Sequence, residues 1–304
     1  SAGRPMTSAL AIFFRLAARA PRLVRLARPV FVRLAWLCAP AVRRGTAANA
    51  ARLCPDADPR DFGLAVLGSF YDFVADVGRS RSVTPAALLA RVARADGVDR
   101  YRAARRAGRG AVLVTAHMGS FEVGLAALSA DERRVHVVFK RDAVPAFDVI
   151  RSELRDKLGV AEAAVDDGPA VWARLREALL RDEVVTVQGD RVLPGQRGQR
   201  VAVRGGHLVL PTGPFKLALS AGAPVVPIFA ARRADGRVDL RLCDPYTVTD
   251  VSDAVLRYAA ELSLELESHP TQWLNLRPAF VEDSAVAAAP ACRAQPLSSP
   301  PSPP

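Results

Sequence analysis

The chain is poor in the residues that hold metals and build extracellular frameworks. Its 304 residues include four cysteines, Cys38, Cys54, Cys243 and Cys292; none forms a C-x-x-C, and none stands at ligand spacing from a histidine. That scatter argues against a disulfide framework and against a zinc site, and it makes the cytosolic side of a membrane the default compartment. Lysine is nearly absent, with Lys140, Lys157 and Lys216 the only ones, and no acidic residue precedes Asp56. No uncharged apolar run before Asp56 approaches the ~18–20 residues that a spanning helix needs. The G-x-x-x-x-G-K-[ST] loop that cradles nucleotide phosphates is missing, as are the G-x-S-x-G elbow of serine hydrolases and any dinucleotide fingerprint. No internal repeat is present.

What remains is arginine, small apolar residues and short hydrophobic runs. Half the residues are hydrophobic, the net charge is +11 and the pI about 10.4. This length can bury one large core or two small ones. The charge points to an anionic partner: nucleic acid, anionic lipid or an acidic small substrate. Ten arginines precede Asp56, interleaved with Leu10, Phe13, Phe14, Leu16, Leu23, Leu26, Phe31, Leu34, Trp36 and others. Arg15, Arg19 and Arg22 are spaced to share one helical face. A basic amphipathic helical segment over 1–50, lying in a membrane interface, fits this pattern best. A targeting segment would need a clean apolar stretch and a cleavage site. A nucleic-acid arm would need exposed aromatics among the arginines, whereas the few aromatics fall mostly within apolar patterns.

Beyond Asp56 the pattern predicts helices over 58–80, with a stripe through Phe62, Val66, Phe70, Phe73 and Val77, and over 84–95, with Thr84 as N-cap and Pro85 at the first position. Short apolar runs then alternate with helices. Strands are expected at 111–117, 134–140, 183–190, 224–232 and 237–246. Helices are expected from about Ser120, near 145–158, and over 171–182, 213–222 and 251–269. Such alternation predicts an α/β fold over 51–282, with a central, mostly parallel sheet flanked by helices. The Pro/Ser/Ala-rich end, 283–304, cannot bury a core and is expected to be disordered.

One stretch carries chemistry. In "AVLVTAHMGSFEVG" (111–124) a buried strand runs into His117, Gly119 permits a tight turn, and Ser120 can cap a new helix. Glu122 then falls in the first helical turn, within reach of the imidazole. A carboxylate on one ring nitrogen fixes the tautomer and raises the basicity of the other, which can then take a proton from a substrate hydroxyl. A hydroxyl activated in this way attacks a carbonyl carbon, and the outcome is acyl transfer. On spacing alone the alternative stays open: Glu122 supports the helix start and His117 is a satisfied core residue. His136, His207 and His269 are too isolated to serve as ligands.

The chain resembles the bacterial lipid A late acyltransferases, the lauroyl and myristoyl transferases, within the lysophospholipid acyltransferase superfamily. "AHMGSFEVG" matches their H-x4-E block, with Phe121 as the aromatic before the acid. "VFKRDAVPAFDVIRSELRDKLG" (138–159), "VVTVQGDRVLPGQRGQRVAVRGG" (184–206), "LPTGPFKLALSAGAPVVPIF" (210–229) and "HPTQWLNLRPAF" (269–280) follow in the family's order. "TAANAARLCPDADPRDF" (46–62) resembles the stretch after the family's membrane anchor.

The resemblance implies a glycerolipid acyltransferase-like fold and a membrane-associated O-acyltransferase, moving a fatty acyl chain from an acyl thioester to a hydroxyl of a lipid A-type acceptor. It implies His117 as general base and Glu122 as its orienter. Lys140, Arg155, Asp190, Arg191, Thr212 and Gly213 would bind substrate. No cofactor or metal is expected, the co-substrate being acyl-acyl carrier protein or acyl-coenzyme A. The implied partners are a lipid acceptor, an anionic membrane surface and acyl carrier protein, with no nucleic acid. The implied location is the cytoplasmic face of the inner membrane. The chain departs from the family in three places. Arginines interrupt the N-terminal helix, Lys140 stands for an arginine, and the loop at 191–206 lacks the usual motif detail. A lysophospholipid or aminolipid acyltransferase, or a silent lipid binder of the same fold, are the competing readings.

Overall fold

The computed structural model describes residues 3–141 and 144–282, with backbone only for 3–8; the tail expected over 283–304 lies outside them. Four helices open the chain, α1 (Gly3–Arg19), α2 (Pro21–Cys38), α3 (Pro40–Leu53) and α4 (Pro59–Arg79), followed by the short α5 (Pro85–Leu89). Each of α2 to α5 starts on proline, which lacks the N–H that a first helical turn leaves unpaired anyway. Asp58 caps α4 through the N–H groups of Arg60 and Asp61, and Thr84 caps α5 through that of Ala87.

The chain then runs β1 (Val92–Asp96), α6 (Val98–Arg105), β2 (Ala111–Thr115), α7 (Phe121–Asp131), β3 (Val135–Phe139), α8 (Pro145–Lys157), β4 (Ala161–Ala164), α9 (Ala170–Leu180) and β5 (Val184–Gln188). It continues through β6 (Gly198–Val203), β7 (Gly206–Pro211), α10 (Gly213–Ala221), β8 (Pro224–Arg232), β9 (Val238–Leu242), β10 (Tyr246–Thr247) and α11 (Val251–Ser268). The sheet order is β1-β9-β8-β2-β5-β3-β4, with β10 paired to β8 and β6–β7 a separate hairpin. β2, β3, β4, β5 and β8 run parallel, as do β1 and β9; β8–β9 and β8–β10 are antiparallel. The α/β class with a mostly parallel sheet is therefore present.

Alternation along the strands feeds two cores. Val112, Val114, Val185 and Val187 face Leu175 and Leu179 of α9, Phe215 of α10 and Tyr258 and Leu262 of α11. Ala111, Leu113 and Val184 face Val123, Leu125 and Ala126 of α7 and Leu154 of α8. A strand covered on both sides needs apolar residues at every position, and all five residues of β2 are buried.

Three expectations change. The helix expected over 84–95 stops at Leu89, and Val92–Asp96 becomes the edge strand β1, with Val92 opposite Val238. Helix-favouring alanine and arginine yield there to the backbone hydrogen bonds offered by β9. The strand expected over 237–246 breaks after Leu242, and Tyr246–Thr247 turns back to pair with the start of β8. β4 and the β6–β7 hairpin, both without a strong apolar run, appear where no strand was expected.

The N-terminal helices lean on α4. Phe14, Ala17, Val24 and Val32 are buried there beside Leu67, Tyr71, Val74 and Val77. Tyr71 donates to the Val24 carbonyl at 2.6 Å, and Arg28 forks onto Asp72 at 2.9 and 3.0 Å. No described helix is long and apolar enough to cross a membrane.

Candidate active site

Parallel pairing brings two distant polar residues together. β2 and β5 are neighbours with Thr115 opposite Gln188, so His117 and Asp190 each leave the sheet two residues past a matched pair. Ligand sites of open parallel sheets lie at these carboxyl ends. His117 Nδ1 lies 2.7 Å from Asp190 Oδ1, and the His117 backbone N–H donates to the same oxygen at 3.1 Å. The second oxygen, Oδ2, accepts from Trp273 Nε1 at 2.8 Å and has Arg191 Nε at 3.7 Å.

The Asp190 side chain is fully buried, while that of His117 is 33% exposed. Burial alone would raise the Asp190 pKa. The His117 ring beside it, Arg191 and the Trp273 N–H more than offset that and hold it well below the usual carboxylate range. An ionised carboxylate only accepts, so Nδ1 carries the ring proton and Nε2 is left as the base.

The turn that presents His117 is held from several sides. Gly119 has φ +58°, and a Cβ there would sit 1.6 Å from the Ala230 carbonyl oxygen, so only glycine fits. The segment after α11 straps across the turn, with Leu274 N–H on the His117 carbonyl at 2.8 Å and Gly119 N–H on that of Gln272 at 3.3 Å. Buried Asn49 of α3 ties the strap down, donating to the carbonyls of Asn275 and Arg277 and accepting from Ala279 N–H. Gly45 leaves room for it, since a Cβ there would lie 2.3 Å from the Leu276 carbonyl oxygen.

Glu122 does not do what its spacing suggested. It sits in the first turn of α7, but the His117 nitrogen it was expected to orient is taken by Asp190 from the neighbouring strand. Glu122 is buried, and neither carboxylate oxygen has a hydrogen-bond partner. Burial raises its pKa, while the nearby Arg151 opposes the rise. Ser120 occupies the N-cap position of α7 without capping it; its hydroxyl donates to Asp76 Oδ2 at 3.2 Å. Asp76 is itself paired with Arg91 and Arg232.

A cavity of about 560 Å³ opens beside His117. Phe70, Phe73, Met118, Phe121, Val138, Phe139, Trp172, Leu193 and Leu274 give it apolar walls. Among the described residues its charged lining is cationic, Lys140, Arg141, Arg151, Arg191, Arg197 and Lys216, with no carboxylate. Arg141 pairs with Asp167 at 2.8 Å and Arg191 donates to the Leu274 carbonyl at 2.5 Å. Lys140, Arg197 and Lys216 have no side-chain partner among the described residues. Thr212 and Gly213 line the same cavity at the start of α10.

Of the expected substrate contacts, the structure thus brings Lys140, Arg191, Thr212 and Gly213 to the lining of one cavity. Asp190 lies behind His117 as its partner. Arg155 is elsewhere: 3% exposed, it donates to Glu162 at 2.7 Å and stacks 4.1 Å over Phe139. Burial lowers its pKa, and Arg151 adds to that. Arg151, one helical turn earlier, is the arginine of α8 that lines the cavity, and sequence reasoning passed it over. Trp273 lies in one of the similar blocks, but nothing in its sequence context signals its role as donor to Asp190. Among the described residues, no three His, Cys, Asp or Glu side chains converge on a point where they could hold a metal.

Comparison with known proteins accords with this geometry. The profile of the bacterial lipid A biosynthesis acyltransferase family matches residues 7–281, and the chain belongs to that family. It is an acyltransferase. It is also similar to the phosphatidylinositol mannoside acyltransferase of Mycobacterium tuberculosis, strain H37Rv, with 26% identity over 234 residues, 75% of this chain and 73% of that one. The Mycolicibacterium smegmatis protein of the same name is 27% identical over 192 residues, 61% of this chain and 62% of that one.

Proposed function

We propose that this acyltransferase moves a fatty acyl chain from an acyl thioester to a hydroxyl of an anionic glycolipid, with His117 as general base and Asp190 as the residue that orients it. The observation that carries the reading is the His117–Asp190 pair opening onto a cavity with apolar walls whose described charged lining is cationic. Nε2 takes the proton of the acceptor hydroxyl as its oxygen attacks the thioester carbonyl. Asp190 stabilises the imidazolium that forms. Collapse of the tetrahedral intermediate breaks the C–S bond, and the imidazolium returns its proton to the departing thiolate.

The apolar walls suit the acyl chain, and the cations suit phosphate groups on either substrate. Coenzyme A and acyl carrier protein both deliver thioesters on a phosphate-bearing arm, so either can serve as donor. A phosphatidylinositol mannoside joins a phosphodiester to sugar hydroxyls, and the similarity to its acyltransferases favours an acceptor of that chemistry over a neutral lipid. The reaction would take place at the cytoplasmic face of the inner membrane.

Transfer of a radiolabelled acyl group from each thioester into total membrane lipid tests this. Label should enter one glycolipid with the wild type and fall about 10²–10⁴-fold with His117→Ala, both proteins giving the same circular dichroism. Equal labelling by the two would remove His117 from the mechanism.

A further inference from the structure

Beside the catalytic turn lies a buried ionic cluster that the transfer step does not use. Its centre is Asp76 of α4, 6% exposed. Oδ2 of that carboxylate accepts from Arg91 Nη2 at 3.0 Å, from Arg232 Nη2 and from the Ser120 hydroxyl at 3.2 Å. Burial alone would raise the Asp76 pKa, but Arg232 and Arg91 outweigh it and hold the carboxyl below its ordinary value. The group is therefore ionised and serves only as an acceptor. Each arginine is anchored a second time. Arg91 donates to the Gly236 carbonyl in the β8–β9 turn, and the backbone of Arg232 exchanges two hydrogen bonds with the Gln272 side chain, at 2.7 and 2.8 Å.

The cluster closes on the turn that presents His117. Ser120 is fully buried and gives its N–H to the Ala230 carbonyl of β8 at 3.2 Å. Its hydroxyl stands where it could cap α7 and instead reaches Asp76. Gly119 N–H meets the Gln272 carbonyl at 3.3 Å, so the glutamine that holds Arg232 also holds the turn. α4 meanwhile presents Phe70 and Phe73 to the cavity, Phe73 one helical turn before Asp76. One helix thus supplies both an apolar wall of the cavity and the carboxylate that grips the turn. In a buried ion cluster desolvation offsets much of the attraction, so little net stability is expected from it. Its directional contacts, by contrast, fix one spacing between α4 and the turn.

We propose that Asp76 is a positioning residue for acyl transfer: through Ser120 and Arg232 it sets the His117 turn against the wall of Phe70 and Phe73, so that Nε2 meets the acceptor hydroxyl beside the bound thioester. Asp76 itself is not among the residues that line the cavity. The proposal rests on the reading of His117 as general base. A misplacement of about 1 Å between reacting groups can cost about 10²-fold in rate. Loosening this clamp therefore acts on turnover rather than on substrate binding.

The test is steady-state acyl transfer by the full chain, well below its unfolding temperature, with denaturant unfolding measured beside it. Asp76→Asn keeps the shape and one acceptor oxygen; it should lower kcat about ten-fold, with KM for the thioester within about two-fold of wild type. Ser120→Ala removes only the link to the turn and should lower kcat about three- to ten-fold, with unfolding nearly unchanged. The double variant should lose little more than Asp76→Asn alone, because both act through one contact. Asp72→Asn, one turn earlier on α4 and paired with Arg28, should keep wild-type kcat and KM. Wild-type kcat in Ser120→Ala would overturn the proposal, and it decides the matter even where Asp76→Asn fails to fold. So would losses that multiply in the double variant, or a loss in Asp72→Asn equal to that in Asp76→Asn, which would mark a general loosening of α4. Full activity of His117→Ala would overturn the catalytic reading and this role together. An inactive His117→Ala beside wild-type turnover in Asp76→Asn would overturn the positioning role alone.

Discussion

The two ends of the sheet use arginine in opposite ways. Where β2, β3 and β5 begin, three arginines are matched. Arg105 pairs with Glu132 and Asp182, Arg102 with Asp131, and Arg181 with Glu183, which also holds His136. Asp182 adds a hydrogen bond from Gly110 N–H at the entry to β2. Where the same strands end, six cations line a cavity with no carboxylate among its described lining; Arg141 reaches out to Asp167 and Arg191 lies beside Asp190, while Lys140, Arg197 and Lys216 have no side-chain partner among the described residues. Unpaired cations gathered in one cavity repel one another, and a fold tolerates that where an anionic ligand completes the set. Pairing, rather than position in the sequence, thus separates the matched arginines of one end from the open cations of the other.

The largest expected effect comes from the pair that anchors the open end. Asp190→Asn keeps the shape but removes the charge that holds the His117 tautomer and its imidazolium. Turnover should fall by the order of 10²-fold or more with KM little changed, measured in the acyl-transfer assay. Equal turnover would mean that the carboxylate only supports the loop through Trp273.

Next come two substitutions that should separate the ends of the sheet. Arg105→Ala leaves Glu132 and Asp182 without their cation in a largely buried setting and should cost about 3 kcal/mol in denaturant unfolding, with kcat/KM unchanged in the folded enzyme. Lys216→Gln should leave unfolding unchanged and raise KM about ten-fold, since one charged contact to a substrate anion is lost. The same response from both variants would erase the distinction.

Much of this was legible in one dimension. The apolar runs placed β2, β3, β5 and β8, and the turn at Gly119 into α7 was legible from residue types, although Ser120 gives its hydroxyl to Asp76 instead of capping the helix. The H-x4-E spacing was informative about where the site lies and misleading about who partners whom, because it ranks neighbours in sequence. Asp190 is 73 residues from His117, and only the β2–β5 register joins them. A signal existed: two buried runs, "AVLVTAH" and "VVTVQGD", each place a polar residue just past the end, and adjacent parallel strands would bring these together. Arg151 and Arg155 could not be told apart in that way, since both lie on one side of α8 and depth within the packing decides which reaches the cavity. β1 was illegible because an edge strand takes its structure from its neighbour.

The smallest effect sharpens the comparison between two buried carboxylates, Asp190 against His117 and Glu122 in the first turn of α7. Asp190, with its pKa depressed by His117 and Arg191 despite burial, contributes stability that is present above the unfolded value of about 3.9 and is lost as pH falls through the folded one. Glu122 has the opposite sign. Its pKa is raised by burial, so the unfolded chain releases its proton first, from about pH 4.3 upward, and the fold loses stability as pH rises until Glu122 itself ionises. Glu122→Gln removes that penalty without changing shape. Its unfolding free energy should match the wild type at about pH 4 and exceed it by about 1 kcal/mol at about pH 8, with turnover reduced less than in Asp190→Asn. A variant that instead lost stability as pH rose would show Glu122 ionised and supported by Arg151. The unpartnered carboxylate would then be a stabilising counter-charge to the cationic wall, and the contrast with Asp190 would be one of position rather than of charge.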